Sequence, residues 1–159
     1  MTIPLRVLIL EDRPDDAELM LYELRKAGYA SDWRQVEAET DYLAALEWLP
    51  ELILADYSMP QFNAMRALQL LRERNLNIPF IVVTNSISEE VAVKCVKQGA
   101  ADYLLKDRLT RLGPAVAHAL EQEKDRQQRK QAEIALQHSG MLTRTILDSV
   151  SNYIAVLDR

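Results

Sequence analysis

The segment Leu52-Ile53-Leu54-Ala55-Asp56 carries the strongest structural signal in this chain, because four apolar residues run directly into a carboxylate. A short, uniformly apolar run is typical of a strand buried on both faces of a parallel sheet. Two further segments have the same form, Val7-Leu8-Ile9-Leu10-Glu11-Asp12 and Tyr103-Leu104-Leu105-Lys106. If all three are parallel strands, their charges meet at the carboxyl edge of the sheet, where open α/β sheets build their sites.

Outward from that segment, apolar runs alternate with stretches of helical spacing. The apolar runs cover residues 5–10, 52–55, 78–83 and 101–105, and a weaker strand is predicted over 30–36. This alternation is typical of βαβ units and predicts an α/β fold with a parallel sheet.

Helix-capping residues and breakers place the helices between these strands. The helix predicted after Ser88 is expected to turn Val91, Ala92, Cys95 and Val96 inward. The helix predicted from Pro14 is expected to bury a stripe that includes Leu21. The predicted ranges are Pro14 to Gly28, Thr40 or Asp41 to Pro50, Asn63 to Arg74, Ser88 to Gly99, and a fifth helix from Pro114 onward.

Length and composition restrict the class of protein. The 159 residues accommodate one α/β domain and a short extension, and a formal net charge of −5 disfavours a nucleic-acid-binding surface. The single cysteine, Cys95, excludes an internal disulfide, and the sequence has neither a secretory signal nor an apolar run of membrane-spanning length. We therefore expect a cytoplasmic protein without membrane or nucleic-acid contacts.

The charged strand ends indicate a particular chemistry. Glu11, Asp12 and Asp56 in one crevice would repel one another unless a cation or raised pKa values relieved the crowding. A divalent metal with oxygen ligands, one carboxylate acting as nucleophile and Lys106 as a point charge together predict phosphoryl transfer to an aspartate.

In these features, residues from about Leu5 to Leu120 resemble the receiver domain of two-component response regulators. The resemblance implies a flavodoxin-like, doubly wound sheet of five parallel strands in the order 2-1-3-4-5, with five helices. It also implies Mg²⁺ as cofactor and a histidine kinase or histidine phosphotransfer protein as partner. The site residues that it implies are Asp56 as phospho-acceptor, Glu11 and Asp12 with Asp56 as Mg²⁺ ligands, Lys106 as the paired lysine, Thr84 as the switch hydroxyl and Tyr103 as the switch aromatic residue.

The sequence departs from the family pattern at three places besides Glu11, which replaces a first aspartate and preserves the oxygen ligand. Asn63-Ala64 replaces the usual Asp-Gly, and Asn85 follows Thr84 where a smaller residue is common. Lys106-Asp107 stands where the family has Lys-Pro with a cis bond. A cis bond before a non-proline residue costs about 3–4 kcal/mol, so two alternatives remain, a trans bond with a shifted loop or a strained cis bond.

The C-terminal part differs from the rest. We assign residues 1–120 to the receiver domain, 121–145 to a helical linker that extends beyond it, and 146–159 to the start of a sequence that looks like a PAS domain. The linker is rich in strong helix formers and has no continuous apolar face. A weak heptad of Leu120, Gln127, Ile134 and Met141 predicts a coiled-coil seam through which the chain forms a homodimer.

Three functional hypotheses follow. The first is a signalling domain, not a classical enzyme, that accepts a phosphoryl group on Asp56 and transmits the change through the fifth helix. The second is a Mg²⁺-dependent phosphohydrolase with an aspartyl-phosphate intermediate, although Ser58 stands where such enzymes place an acid/base aspartate. The third is a pseudo-receiver that serves as a docking or dimerisation module.

Overall fold

A computed structural model describes residues 2–85 and 88–153, with side chains for 2–85 and 88–137. The chain divides into two compact units, Met1–Glu123 and Lys124–Arg159. In the described ranges, no helix has both the length and the apolar character needed to cross a membrane.

The first unit contains a five-stranded parallel sheet in the order β2-β1-β3-β4-β5, which confirms the predicted fold. A 3-10 helix over Lys106–Arg111 follows the last strand. The strands and α-helices in chain order are β1 (Ile3–Leu10), α1 (Pro14–Lys26), β2 (Tyr29–Val36), α2 (Glu39–Leu46), β3 (Leu52–Ala55), α3 (Ala64–Glu73), β4 (Phe80–Thr84), α4 (Glu89–Lys97), β5 (Asp102–Leu105) and α5 (Leu112–Tyr153).

Two hydrophobic cores cover the two faces of the sheet. Side chains alternate along β1, so that Val7 and Ile9 pack with α1 and α5, whereas Leu8 and Leu10 pack with α2, α3 and α4. All four residues of β3 are buried, as the uniform apolar run predicts. Full burial of an aliphatic side chain contributes about 1.5–3 kcal/mol, so these central strands hold the carboxyl edge of the sheet in place.

The predicted helix boundaries are confirmed to within about two residues, except at the end of α2, which stops at Leu46, four residues before the predicted breaker Pro50. Asn63 caps α3 by accepting a hydrogen bond from the Arg66 amide, and Ser88 caps α4 by accepting one from the Val91 amide. This capping role accounts for the presence of Asn63, one of the residues that depart from the family pattern. The predicted start of α5 at Pro114 lies two residues too late, because the helix begins at Leu112.

The predicted inward face of α4 was wrong at Val96, which is 51% exposed. This helix is short, and only Ala92 and Cys95 are buried along it. Its contact stripe is therefore narrower than the sequence pattern indicated, and Val96 lies beyond it. Leu21 on α1 is similarly only half-buried, at the margin of the Ala17, Met20 and Leu24 stripe.

The Lys106-Asp107 peptide bond is trans, since no cis bond occurs among the described residues. Of the two alternatives drawn from the sequence, the trans bond is the observed one. The 3-10 helix begins at Lys106 itself, directly after β5.

The helix α5 continues across Gly140 to Tyr153. Of the predicted seam residues, Ile134 is 55% exposed and the Met141 side chain lies outside the described part. Residues 154–159, which hold most of the apolar pattern behind the predicted PAS start, also lie outside it. The coiled-coil seam and the PAS start stay predictions.

Candidate functional site

The pairing of β1 with β3 brings two of the predicted site carboxylates together. Leu10 and Ala55 are partners in the sheet register. The residues that follow them, Glu11 and Asp56, therefore lie next to each other at the ends of adjacent strands. The Asp56 amide donates to the Leu10 carbonyl at 2.9 Å, which extends the ladder to the edge of the site. The apolar runs of the sequence thus place both carboxylates.

Glu11, Asp12 and Asp56 form an acidic cluster in which one carboxylate oxygen from each residue lies within 4.8 Å of the others. Glu11 and Asp56 are buried, whereas Asp12 is exposed. Carboxylate oxygens are the ligands that hard divalent cations prefer, and the exposed Asp12 leaves the cluster accessible. The donor set therefore fits Mg²⁺.

Lys106 supplies the positive charge of the site. Its Nζ atom lies 2.7 Å from Glu11 Oε1, 2.7 Å from Asp16 Oδ2 and 3.1 Å from Asp56 Oδ2, and its side chain is only 8% exposed. Burial lowers the pKa of the Lys106 ammonium, but the contacts with the three carboxylates outweigh burial and raise this pKa above its ordinary value. Lys106 therefore stays charged at any physiological pH.

The buried Glu11 carboxyl is held at the boundary between its two protonation states. Burial raises its pKa to about 7; Lys106 opposes that rise, while Asp12 and the charge of Asp56 add to it. One ammonium does not neutralise this many carboxylates, so a second cation at the cluster would favour the ionised form of Glu11.

Asp16 is the site residue that sequence reasoning missed. It lies in the first turn of α1 next to Asp15, and acidic residues in that turn favour the helix dipole whether or not they belong to a site. The structure separates the two, because Asp16 contacts Lys106 whereas Asp15 is exposed. The pairing joins residues 90 positions apart, and the sequence holds no signal that distinguishes the two aspartates.

Asp56 is also bound through its other carboxylate oxygen. Its Oδ1 atom accepts a hydrogen bond from the Ser58 amide at 2.9 Å. The Ser58 hydroxyl lies 3.2 Å from the Oγ1 atom of Thr84, a fully buried residue at the end of β4. Asp56, Ser58 and Thr84 thus form a chain of polar contacts across two strand ends.

Tyr103 lies on the same face of the sheet as Thr84. It is the register partner of Val82 on β4, two residues before Thr84, and side chains two apart on a strand point to the same face. The ring is 36% exposed. The Tyr103 side chain is therefore partly in solvent.

A parallel α/β sheet with an acidic cluster and a buried lysine at its carboxyl edge defines the receiver class of domains. The chain belongs to that family, since the model for the response regulator receiver domain matches residues 7–116. The predicted resemblance is thereby confirmed for this part of the chain.

Characterised relatives agree with this assignment. The chain is 36% identical over 110 residues to the two-component response regulator-like protein APRR9 of Arabidopsis thaliana, an alignment that covers 64% of this chain and 22% of that protein. It is 33% identical over 110 residues to the nitrate/nitrite response regulator NarL of Escherichia coli (65% of this chain, 49% of NarL). It therefore spans less than half the length of these relatives, which extend well beyond the shared domain.

Solved structures show the same architecture. A signal receiver domain from Vibrio parahaemolyticus superimposes with a TM-score of 0.70 at 28% identity, covering 79% of this chain and 96% of that one. The receiver domain of the Francisella response regulator 1452 gives a TM-score of 0.65 at 23% identity (74% and 98%), a likeness of fold alone.

Proposed function

We propose that this domain accepts a phosphoryl group from a partner histidine on Asp56 and passes the resulting change to the C-terminal region. The contact that carries the proposal is Lys106 Nζ at 3.1 Å from Asp56 Oδ2, beside the carboxylates of Glu11 and Asp12. A buried nucleophile, a fixed cation and an acidic cluster are the parts that phosphoryl transfer to a carboxylate needs.

The transfer itself is a substitution at phosphorus. A carboxylate oxygen of Asp56 forms the new P–O bond, the P–N bond to the donor imidazole breaks, and the departing nitrogen takes a proton from solvent. Lys106 and the Ser58 amide contact different oxygens of Asp56, so they fix the carboxylate before the donor arrives. Fixed orientation lowers the entropic part of the barrier.

The metal ligands in this proposal are Glu11, Asp12 and Asp56. When bound, Mg²⁺ supplies positive charge that offsets the negative charge of the incoming phosphoryl oxygens. The chain supplies only oxygen donors at this cluster, and the largely buried Lys106 is already shared among carboxylates. Phosphorylation therefore depends on a divalent cation.

The conformational response begins at Thr84. A phosphoryl group on Asp56 adds acceptor oxygens close to the Ser58 and Thr84 hydroxyls, which now lie 3.2 Å apart. A Thr84 hydroxyl that turns toward those oxygens vacates space on the face that it shares with Tyr103. The partly exposed Tyr103 ring moves inward to fill that space, and the surface formed by α4 and β5 changes.

The output of this change is proposed to pass through α5, whose first residues Leu112, Ala115 and Val116 are buried against the sheet. A histidine kinase or histidine phosphotransfer protein is the proposed donor, and a sensory or output region beyond α5 is the proposed recipient. In Lys106→Ala, a bound phosphoryl mimic is expected to produce no response in the helix, which a comparison of the dimer mass with and without the mimic measures.

The phosphohydrolase hypothesis has less support. Ser58 stands two residues beyond Asp56, and its amide donates to the Asp56 carboxylate while its hydroxyl contacts Thr84. A serine at this position cannot serve as the acid/base carboxylate that multiple turnover of phosphate esters requires. The domain is therefore proposed to transfer and slowly lose one phosphoryl group, not to turn over small substrates.

The test is the intact mass of the chain after incubation with Mg²⁺ and a small acyl phosphate. The parent is expected to gain one phosphoryl group, Asp56→Asn to gain none, and the exposed-carboxylate control Asp41→Asn to behave like the parent. A parent that gains none from either an acyl phosphate or a phosphorylated histidine protein, while circular dichroism shows a native fold, would instead support the pseudo-receiver hypothesis.

A further inference from the structure

The strand β2 forms one edge of the sheet and pairs only with β1 among the described strands. Open grooves flank it on both faces. One, of about 990 Å³, lies toward α1, and the other, of about 580 Å³, lies toward α2. Trp33 and Gln35 line both grooves. The outer backbone of β2, which lies between the two grooves, is therefore uncovered. An uncovered edge strand of eight residues is a template for pairing with another strand.

The ladder with β1 determines which backbone groups of β2 point outward. The Ile3 amide donates to the Gly28 carbonyl at 2.8 Å, and the Glu11 amide donates to the Val36 carbonyl at 3.1 Å. Between these two bonds the even-numbered residues of β2 face β1, since parallel pairing alternates from residue to residue. The amides and carbonyls of the odd-numbered residues, including Ser31, Trp33 and Gln35, therefore point away from the sheet.

The centre of this edge carries an exposed aromatic side chain between two exposed side chains of opposite charge. Trp33 is 47% exposed on the α1 side of the sheet. Asp32 and Arg34 flank it, both are exposed, and both project toward α2 because they alternate with Trp33. The Arg34 guanidinium lies 4.4 Å from the Trp48 ring centroid, which holds it on that face.

We infer that β2 pairs in antiparallel fashion with β2 of a second copy of this chain, across a two-fold axis that passes through Trp33. The two sheets then form one continuous sheet, and each copy presents the same surface to the other, as a two-fold interface requires. This contact is independent of the phosphoryl site and of the predicted coiled-coil seam.

Charge selects the register of this pairing. Three central registers place odd-numbered residues opposite odd-numbered residues, so that the outward backbone groups bond one another. A centre at Asp32 sets two aspartates opposite each other, and a centre at Arg34 sets two arginines opposite each other. A centre at Trp33 instead places Asp32 opposite Arg34 of the second copy, twice by symmetry. Like charges directly opposite are destabilising and opposite charges stabilising, so only the Trp33 register is favourable.

The same register suits the other side chains of the strand. Asp32 and Arg34 then occupy non-hydrogen-bonded pairs, in which cross-strand side chains lie closest. On the other face the two Trp33 rings meet, and Ser31 lies opposite Gln35 of the second copy.

The test is a charge exchange followed by sedimentation velocity on the full chain over a range of concentrations. The parent is expected to form a dimer whose population rises with concentration. Asp32→Arg sets arginine opposite arginine at two places, so it should raise the dimer dissociation constant at least about tenfold. The double variant Asp32→Arg with Arg34→Asp restores both opposite-charge pairs and should recover the dimer.

Two further variants control for the charge change and for the fold. Glu73→Arg makes the same change in net charge at an exposed position on α3 and should leave the dimer intact. Ser31→Pro removes an outward amide, a position at which an edge strand tolerates proline. It should keep the native circular dichroism spectrum and abolish the dimer.

A backbone measurement distinguishes this contact from other routes to a dimer. Hydrogen exchange at the amides of Ser31, Trp33 and Gln35 should slow as the parent concentration rises, and not in Asp32→Arg. The inference is overturned by a parent that stays monomeric, by a double variant that fails to recover the dimer, or by a dimer that survives Asp32→Arg and is lost in Ile134→Glu. The last result would assign the association to the C-terminal helix.

Discussion

The Nζ atom of Lys106 lies 2.7 Å from the Oδ2 atom of Asp16, which is closer than its 3.1 Å separation from Asp56 Oδ2. The lysine that faces the proposed phospho-acceptor is thus shared with a carboxylate from the first turn of α1. Asp16 neutralises part of the Lys106 charge in the unmodified domain. Its removal should therefore lower the affinity of the acidic cluster for a cation.

Replacement of Asp16 by asparagine should weaken Mg²⁺ binding roughly threefold to thirtyfold, because it removes one negative charge near the cluster and leaves the Lys106 charge less compensated. Isothermal titration with Mg²⁺ measures the change. Asp15→Asn is the matched control, since Asp15 is the exposed neighbour in the same helical turn. Equal losses in both variants would contradict a specific role for Asp16.

Lys106→Met should destabilise the metal-free domain by about 1–3 kcal/mol, because it leaves buried carboxylates without their cation. The buried Glu11, whose pKa is about 7, limits the loss by taking up a proton. Urea unfolding in a chelator measures the cost, and added Mg²⁺ should recover part of it. Lys97→Met, at an exposed position on α4, serves as control. An unchanged unfolding midpoint for Lys106→Met would rule out the inferred electrostatic role.

The proposed switch can be followed at Tyr103. In fluorotyrosine-labelled protein, the Tyr103 signal, assigned with Tyr103→Phe, should shift when Mg²⁺ and a phosphoryl mimic are added. Thr84→Val keeps the shape of the buried side chain but removes its hydroxyl, so binding of the mimic should persist while the shift shrinks. Thr40→Val, an exposed threonine on α2, should respond like the parent. A full shift in Thr84→Val would separate Tyr103 from Thr84.

Cys95 should react slowly with alkylating reagents. It is fully buried on α4, its Sγ atom lies 3.6 Å from Met65 Sδ, and burial raises the pKa of its thiol, so little thiolate forms near neutral pH. At pH 8 the native chain should react at least about a hundredfold more slowly than the chain in urea. Similar rates in the two states would show that α4 is not packed as described.

Much of the site could be predicted from the sequence because strand ends are a local signal. The uniform apolar runs before Asp56, Glu11 and Lys106 mark buried strands, and parallel pairing then brings their ends to one edge of the sheet. A short apolar run of this kind therefore predicts both a buried strand and the residue at which that strand ends.

What the sequence did not reveal depends on tertiary geometry. Asp15 and Asp16 are indistinguishable as dipole-favouring residues, and only the position of the 3-10 helix relative to α1 brings Asp16 to Lys106. Val96 likewise fits a helical stripe, but the width of that stripe depends on how closely α4 packs on the sheet. The opposite charges of Asp32 and Arg34, on either side of Trp33, suggest a pairing surface only once β2 is known to be an edge strand.

The most direct test of the central claim is to locate the phosphoryl group after the chain is incubated with Mg²⁺ and an acyl phosphate. Borohydride reduces an aspartyl phosphate to homoserine, and peptide mapping then identifies the modified residue. We predict homoserine at Asp56, dependent on Mg²⁺ and absent when Asp56 is replaced by asparagine. Modification of Ser58 or of another carboxylate, with Asp56 unchanged, would contradict the account.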